Sequence, residues 1–325
     1  MTEEYDVIIV GGASAGLTAG IYAARRNLKT LILTIYIGGQ ASMASFIENY
    51  PGFLGIDGFE LMQKFAEQAQ KFGVKIIFDK VIEIKDADGE FVVKTDSEDY
   101  KAKAVILSFG KSPKELGVPG EEEYKGRGVS YCATCDMPLF RGRTIAVIGG
   151  ENPALDAALL GGDMAKRVYL IHNRDDFRGF KSLVESVKKK ENIEFILDSS
   201  VKEIRGDKRV NSIVVQNLKT NDIKELEIDG VVVEIGYEVK TDFIKDLVKL
   251  DNYWQIVINQ RCETYYPNSD RIRPGIFAAG DVTSVPFKQI VVSAGEGCKA
   301  ALQAYNYIRK KESYFVADWV HTPKK

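Results

Sequence analysis

Short, mainly apolar runs recur along the chain, at residues 7–10, 30–33, 104–107, 145–148, 168–171, 230–235 and 276–279. A strand that is apolar on both of its faces predicts a parallel sheet covered on both sides. Between these runs the period changes. Residues 17–25 read as a helix that turns small residues toward a sheet, and 59–72 carries a helical stripe at Phe59, Leu61, Met62, Phe65, Ala66 and Ala69. Further helices are expected at 154–160 and 290–310, the last opening with Ser293, Ala294, Gly295 and Gly297. Two stretches alternate as antiparallel meanders. One has strands at 74–79, 81–85, 90–95 and 100–103 with a turn at Asp88-Gly89; the other has strands near 194–197, 202–205, 210–217 and 225–228. Gly/Pro-containing or polar segments at 116–120 and 236–241 read as linkers.

The first strand runs into Gly11, Gly12, Ala13, Ser14, Ala15 and Gly16, which open a helix. This is a β-turn-α-β dinucleotide unit, in which glycines admit a pyrophosphate to the backbone and the helix start stabilises its charge. Ala13 stands at the middle glycine, and Thr34 stands where an acid would hold a ribose hydroxyl. The unit is then repeated: Gly149 follows Gly11 by 138 residues, Gly150 follows Gly12, and a helix begins near Ala154. Arg174 and Arg178 lie just past the second strand of that copy, where cations meet a ribose 2′-phosphate and favour NADP over NAD. The competing reading makes these arginines one solvated helix face. A later buried strand ends in Gly280-Asp281, placing a carboxylate where a cofactor hydroxyl could be held. The fold class expected is α/β, with two Rossmann-like, three-layer ββα dinucleotide-binding domains.

With 325 residues the chain is long enough for two domains. A net charge of −2 calls for neither nucleic acid nor an anionic membrane. No apolar run reaches bilayer length. The acidic N-terminus leads straight into a strand, against a signal peptide, and four cysteines make no secreted scaffold, so the cytoplasm is expected. Cys132 and Cys135 are one helical turn apart with Asp136 beside them. Such a pair lowers a thiol pKa, and the carboxyl can move the proton that thiol chemistry requires. Zinc would need more ligands than Cys262, Cys298, His172 and His321 offer at their spacing, so no metal is expected. Pro138 biases Met137 toward an extended conformation, and Cys298, inside the last helix, is expected in the core.

Taken with 38–40, 48–52, 128–136, 275–281 and Lys288-Gln289, these motifs resemble the low-molecular-weight thioredoxin reductases end to end. The resemblance implies an FAD-binding domain split between 1–113 and 243–325. Inserted in it is an NAD(P)H-type domain, 114–242, carrying the redox pair. It implies a homodimer that reduces thioredoxin or a thioredoxin-like protein. By the same likeness Gly11 to Gly16 meet the FAD pyrophosphate, and Gly39, Gln40 and Asn49 surround the flavin. Asp281, with Gly280 before it, binds the ribityl chain or a phosphate-linked oxygen of FAD, and Gln289 and Ile290 lie along the isoalloxazine. Cys135 is nearest the flavin, Cys132 attacks the partner and Asp136 is the acid. Departures gather in the second module. Glu151 replaces a glycine, Pro153 removes an N–H, Asn173 replaces an arginine, and 236–241 lacks the family's proline. A carboxylate about 4 Å from a phosphate opposes binding by several kcal/mol at an effective dielectric near 20. The expected activity is FAD-dependent thioredoxin-disulfide reduction from NAD(P)H. The alternatives are the same enzyme with an impaired NADPH site fed by another reductant, and a redox-sensing flavoprotein without turnover. A ferredoxin–NADP reductase relative is a weaker alternative, since it would not need the Cys pair.

Overall fold

The computed structural model describes residues 3–310, apart from Ser45, Asp88 and the side chain of Cys135. The chain divides into two compact units, Met1–Lys111 with Val239–Lys325, and Ser112–Glu238.

The first unit opens with β1 (Glu3–Gly12), α1 (Ser14–Arg25) and β2 (Thr30–Ile37), each longer than the apolar run that announced it. Val7, Ile8 and Ile9 have no exposed surface, as a strand covered on both faces requires. Helix α2 (Gly58–Lys71) starts where the Asp57 carboxylate accepts the Glu60 N–H at 3.0 Å. Its stripe buries Leu61, Met62, Ala66 and Ala69, whereas Phe59 faces solvent. Strand β3 (Lys75–Phe78) corrects the first meander: it joins the main sheet, parallel to β2. The hairpin β4 (Val81–Ala87) and β5 (Glu90–Thr95) is as expected; the Asp88 half of its turn lies outside the described residues.

A second correction concerns β6 (Asp99–Leu107), which is one strand and not two. Along one edge it pairs parallel with β1 throughout. Along the other its first half pairs antiparallel with β5, Phe91 opposite Ala102. At about 3.3 Å per residue a nine-residue strand is long enough for two partners in series. The polar-to-apolar change at Ala104 marks a change of neighbour, not the end of a strand.

The second unit contains β7 (Ser112–Pro113), β8 (Val129–Ser130), the single turn α3 (Ala133–Asp136), β9 (Thr144–Ile148), α4 (Asn152–Met164), β10 (Arg167–Ile171) and α5 (Lys181–Lys188). There follow β11 (Ile193–Ile196), β12 (Ser199–Gly206), β13 (Val210–Asn217), β14 (Ile223–Glu227), β15 (Gly230–Val233) and β16 (Tyr237–Glu238). The parallel sheet runs β11-β10-β9-β15-β8, and β12, β13 and β14 form the meander. Strand β11, expected in the meander, pairs parallel with β10. Met137 is also not extended. It begins a 3-10 turn through Phe140, with its side chain wholly buried beneath β9 and α4. Burying a Met side chain contributes about 1.5–3 kcal/mol, enough to override the bias set by Pro138. The helix face proposed for Arg174 and Arg178 does not exist, because α5 begins only at Lys181; both arginines are exposed in a loop.

The chain then returns to the first unit with β17 (Glu263–Tyr265), β18 (Ile272–Ala278) and α6 (Ile290–Ile308). Strand β18 lies parallel to the second half of β6, giving the order β17-β18-β6-β1-β2-β3. A side chain at Gly297 would collide with the Ala15 carbonyl, so the small residues of α6 serve its packing on α1.

Candidate active site

In the first unit β1 ends in a turn that only glycine can make. Gly11 sits at φ +113°, and a Cβ there would strike the Ser108 carbonyl; at Gly16 it would strike the Gly11 carbonyl. Ala13 is the N-cap of α1, extended, with no side-chain cap and no acidic residue in the first turn. Its methyl is thereby accommodated, and the N–H groups that follow, at Ser14, Ala15 and Gly16, are left for an anion. Thr34 serves the turn itself: its hydroxyl accepts the Gly12 N–H at 3.0 Å and donates to the Tyr36 carbonyl at 2.7 Å. This glycine cradle with an uncapped helix start fits the pyrophosphate of FAD.

The remaining polar residues expected around that cofactor also lie in this unit. Gln40 donates to the Lys111 carbonyl at 3.3 Å, and Asn49 donates to Gln289 at 3.3 Å across 240 positions of sequence. Gly39 begins a 3-10 turn, and Gln289 is the N-cap of α6, just ahead of Ile290. Asp281 accepts from Ser293 at 3.2 Å. Sequence reasoning missed Glu296. Only 4% exposed, it accepts the Gly280 N–H at 2.7 Å and so fixes the turn that presents Asp281. Burial pushes its carboxyl above the usual range, opposed by the Gly280 N–H and by Lys299. An acid within a stripe of small residues was the available signal.

In the second unit, Ser130 accepts the Cys132 N–H at 3.1 Å and donates back to the Cys132 carbonyl at 3.2 Å. The Asp136 N–H closes the α3 turn on the same carbonyl at 3.1 Å. Cys132 is disulfide-bonded, with Sγ 3.8 Å from the Thr134 hydroxyl, whereas Cys262 and Cys298 are in no disulfide. Cys262 is fully buried and Cys298 only half-buried, short of the core position expected for it. A second missed group stands behind the redox turn. Glu121, 3% exposed, accepts the Leu116 and Gly117 N–H groups at 2.8 and 2.7 Å and the Tyr131 hydroxyl at 2.7 Å. Burial, then the bond to Glu121, raises the Tyr131 pKa. A third missed residue, Glu234, follows β15.

The second glycine turn differs from the first. A side chain at Gly150 would collide with the His172 ring, which is 9% exposed and stacks on Phe177 at 5.8 Å between centroids. Burial, then Arg174 and Arg178, lower the His172 pKa, and its Nε2 has no hydrogen-bond partner among the described residues. It is a core histidine whose surroundings disfavour the charged form. Arg178 donates its backbone N–H to the Gly150 carbonyl at 2.8 Å. The N-cap of α4 is Glu151, extended and exposed, with no capping bond; Pro153 lies in the first turn and Ala154 is buried. A carboxylate at the helix start is the wrong charge for a pyrophosphate, so this turn does not fit NADPH as the first fits FAD. Among the described residues no cluster of His, Cys, Asp and Glu could hold a metal, and no helix is long and apolar enough to cross a membrane.

The family model for pyridine nucleotide-disulphide oxidoreductases matches residues 5–297. The thioredoxin reductase of Treponema pallidum is 39% identical over 310 residues, covering 95% of this chain and 98% of that protein. The Lactococcus lactis thioredoxin reductase structure superposes with a TM-score of 0.79 at 38% identity, covering 94% of this chain and 99% of that one. The T. acidophilum thioredoxin reductase structure gives 0.76 at 40% identity, covering 94% and 98%. The chain belongs to the pyridine nucleotide-disulphide oxidoreductase family and, within it, to the thioredoxin reductases.

Proposed function

We propose that Cys132 and Cys135 are the pair through which this FAD-dependent thioredoxin-disulfide reductase passes two electrons to its partner. The observation that carries the assignment is the disulfide-bonded state of Cys132 at the head of a one-turn helix, while Cys262 and Cys298 are in no disulfide. Once the pair is reduced, the Cys132 thiolate attacks the partner disulfide, forming a mixed disulfide and expelling one partner thiolate. Cys135 then attacks Cys132, closing the intramolecular bond and releasing the second thiolate. Asp136 is the proposed proton carrier. Ser130 holds the Cys132 backbone through both bonds. FAD bound to the first unit would supply the two-electron relay that regenerates the dithiol. Gly11 to Gly16, Gly39, Gln40, Asn49, Gly280, Asp281, Gln289 and Ile290 are the proposed FAD residues.

The proposed electron source is a donor other than NADPH, supported by the Glu151 carboxylate at the start of α4 and the buried His172, whose surroundings disfavour its charged form. The test is anaerobic addition of NADPH to oxidised protein while flavin absorption is followed. Bleaching only by a dithiol supports the reading, and bleaching at stoichiometric NADPH overturns it. Cys135→Ser is expected to keep the flavin spectrum and abolish thioredoxin-coupled insulin precipitation. Retained turnover would remove the pair from the mechanism. We further read the protein as a cytoplasmic homodimer, on the family likeness and the sparing use of cysteine; sedimentation at micromolar concentration tests the dimer.

A further inference from the structure

The peptide that follows Cys132 faces an acid that the disulfide exchange does not use. Strand β15 stands between β9 and β8 in the parallel sheet and ends at Val233. The next residue, Glu234, is pinned at its backbone: its N–H donates to the Ile148 carbonyl at 2.8 Å, and its own carbonyl packs against Gly149, where any side chain would collide with it. The backbone therefore has little freedom, and the half-buried side chain meets the N–H of Ala133, first residue of α3. No salt bridge of Glu234 exists among the described residues, so the carboxyl stands against the redox turn without a cation to neutralise it.

We propose that Glu234 is a positioning residue of the redox pair: its carboxyl holds the amide after Cys132, and its charge sets how readily the reduced pair loses a proton. When ionised, Glu234 opposes the dissociation Cys–SH → Cys–S⁻ + H⁺ by like-charge repulsion and occupies an N–H that would otherwise favour the thiolate. When protonated, it relaxes that opposition. Burial lifts this carboxyl to about 7, and the Ala133 N–H pulls it down, so the changeover falls in the range where thiols exchange. The other titratable groups on the redox segment are Cys132, Cys135 and Asp136. None is a cause of the Glu234 shift.

The experiment is the pH profile of Cys132 alkylation in the dithiol-reduced holoenzyme, with Cys135→Ser in every form so that no second thiol titrates beside it, read on the Cys132 peptide by mass spectrometry. The form that keeps Glu234 is expected to show two ionisations, and Glu234→Gln one, with about tenfold more thiolate near neutral pH, a shift of one pKa unit. Glu234→Asp, which keeps the charge but withdraws it by one methylene, is expected to fall between them. A profile unchanged in Glu234→Gln overturns the proposal. Should that variant not fold, the profile of Asp136→Asn decides: a second ionisation that persists supports Glu234, and one that disappears assigns it to Asp136 and overturns the proposal.

Discussion

Glu151 is the N-cap of α4 yet makes no capping bond, so its charge is exposed where the helix would otherwise attract an anion. The first turn has the uncharged Ala13 at the same N-cap position, and replacing Glu151 by glycine likewise removes the charge. Discounted for solvent screening, Glu151→Gly should raise NADPH affinity roughly tenfold, read by titrating flavin fluorescence. No change would mean that the loop carrying His172 and Arg178, and not the carboxylate, decides access. Glu234 makes a separate prediction about stability. Burial raises its pKa from 4.5 to about 7, against the Ala133 N–H. A carboxyl raised on folding stabilises the native state below its unfolded pKa and loses that contribution as pH climbs through the folded value. Glu234→Gln should therefore unfold with wild type near pH 4.5 and be more stable at pH 8, by about 3 kcal/mol at most. Urea midpoints at the two pH values measure the difference.

At the scale of elements, the segment from Leu116 to Tyr131 is knotted around one carboxylate. Glu121 binds three donors and has no cation among its hydrogen-bond partners, so removing it strands the Leu116 and Gly117 amides. Glu121→Ala should cost roughly 3 kcal/mol and Tyr131→Phe about 1 kcal/mol in urea denaturation. Equal losses would refute this division of the work. The sequence made the apolar strands legible because parallel strands are continuous in character, and it made the glycine turns and Cys-x-x-Cys legible because their chemistry is local. Glu121 and Glu234 were not legible: Glu234 matters through a partner brought close by sheet order, Glu121 through a loop folded back on it at Leu116, Gly117 and Tyr131, and no local pattern marks either. Strands β3, β6 and β11 were misassigned for a related reason. Alternation reports which faces of a strand are wet, not which neighbour it pairs with. Met137 shows the same limit, since a local proline preference lost to burial in a core assembled from β9 and α4.

At the scale of the whole molecule, one unit is continuous in sequence and the other is completed by a returning segment, Val239 onward. Without β17, β18 and α6, the second half of β6 has no neighbour on one edge, and α1 loses the helix packed on it. A chain ending at residue 238 should therefore keep a cooperatively folded middle unit while its first 111 residues expose a strand edge and aggregate. Limited proteolysis would show a protected fragment near 112–238. A fully soluble first segment would contradict this. The split also fixes an order of assembly on the ribosome. The inserted unit is whole once residue 238 has emerged, whereas the edge of β6 waits for Ile276 to be synthesised. During that interval the nascent chain holds the redox turn in finished form while its flavin cradle is incomplete, so a dithiol exists before anything in the same polypeptide can recharge it.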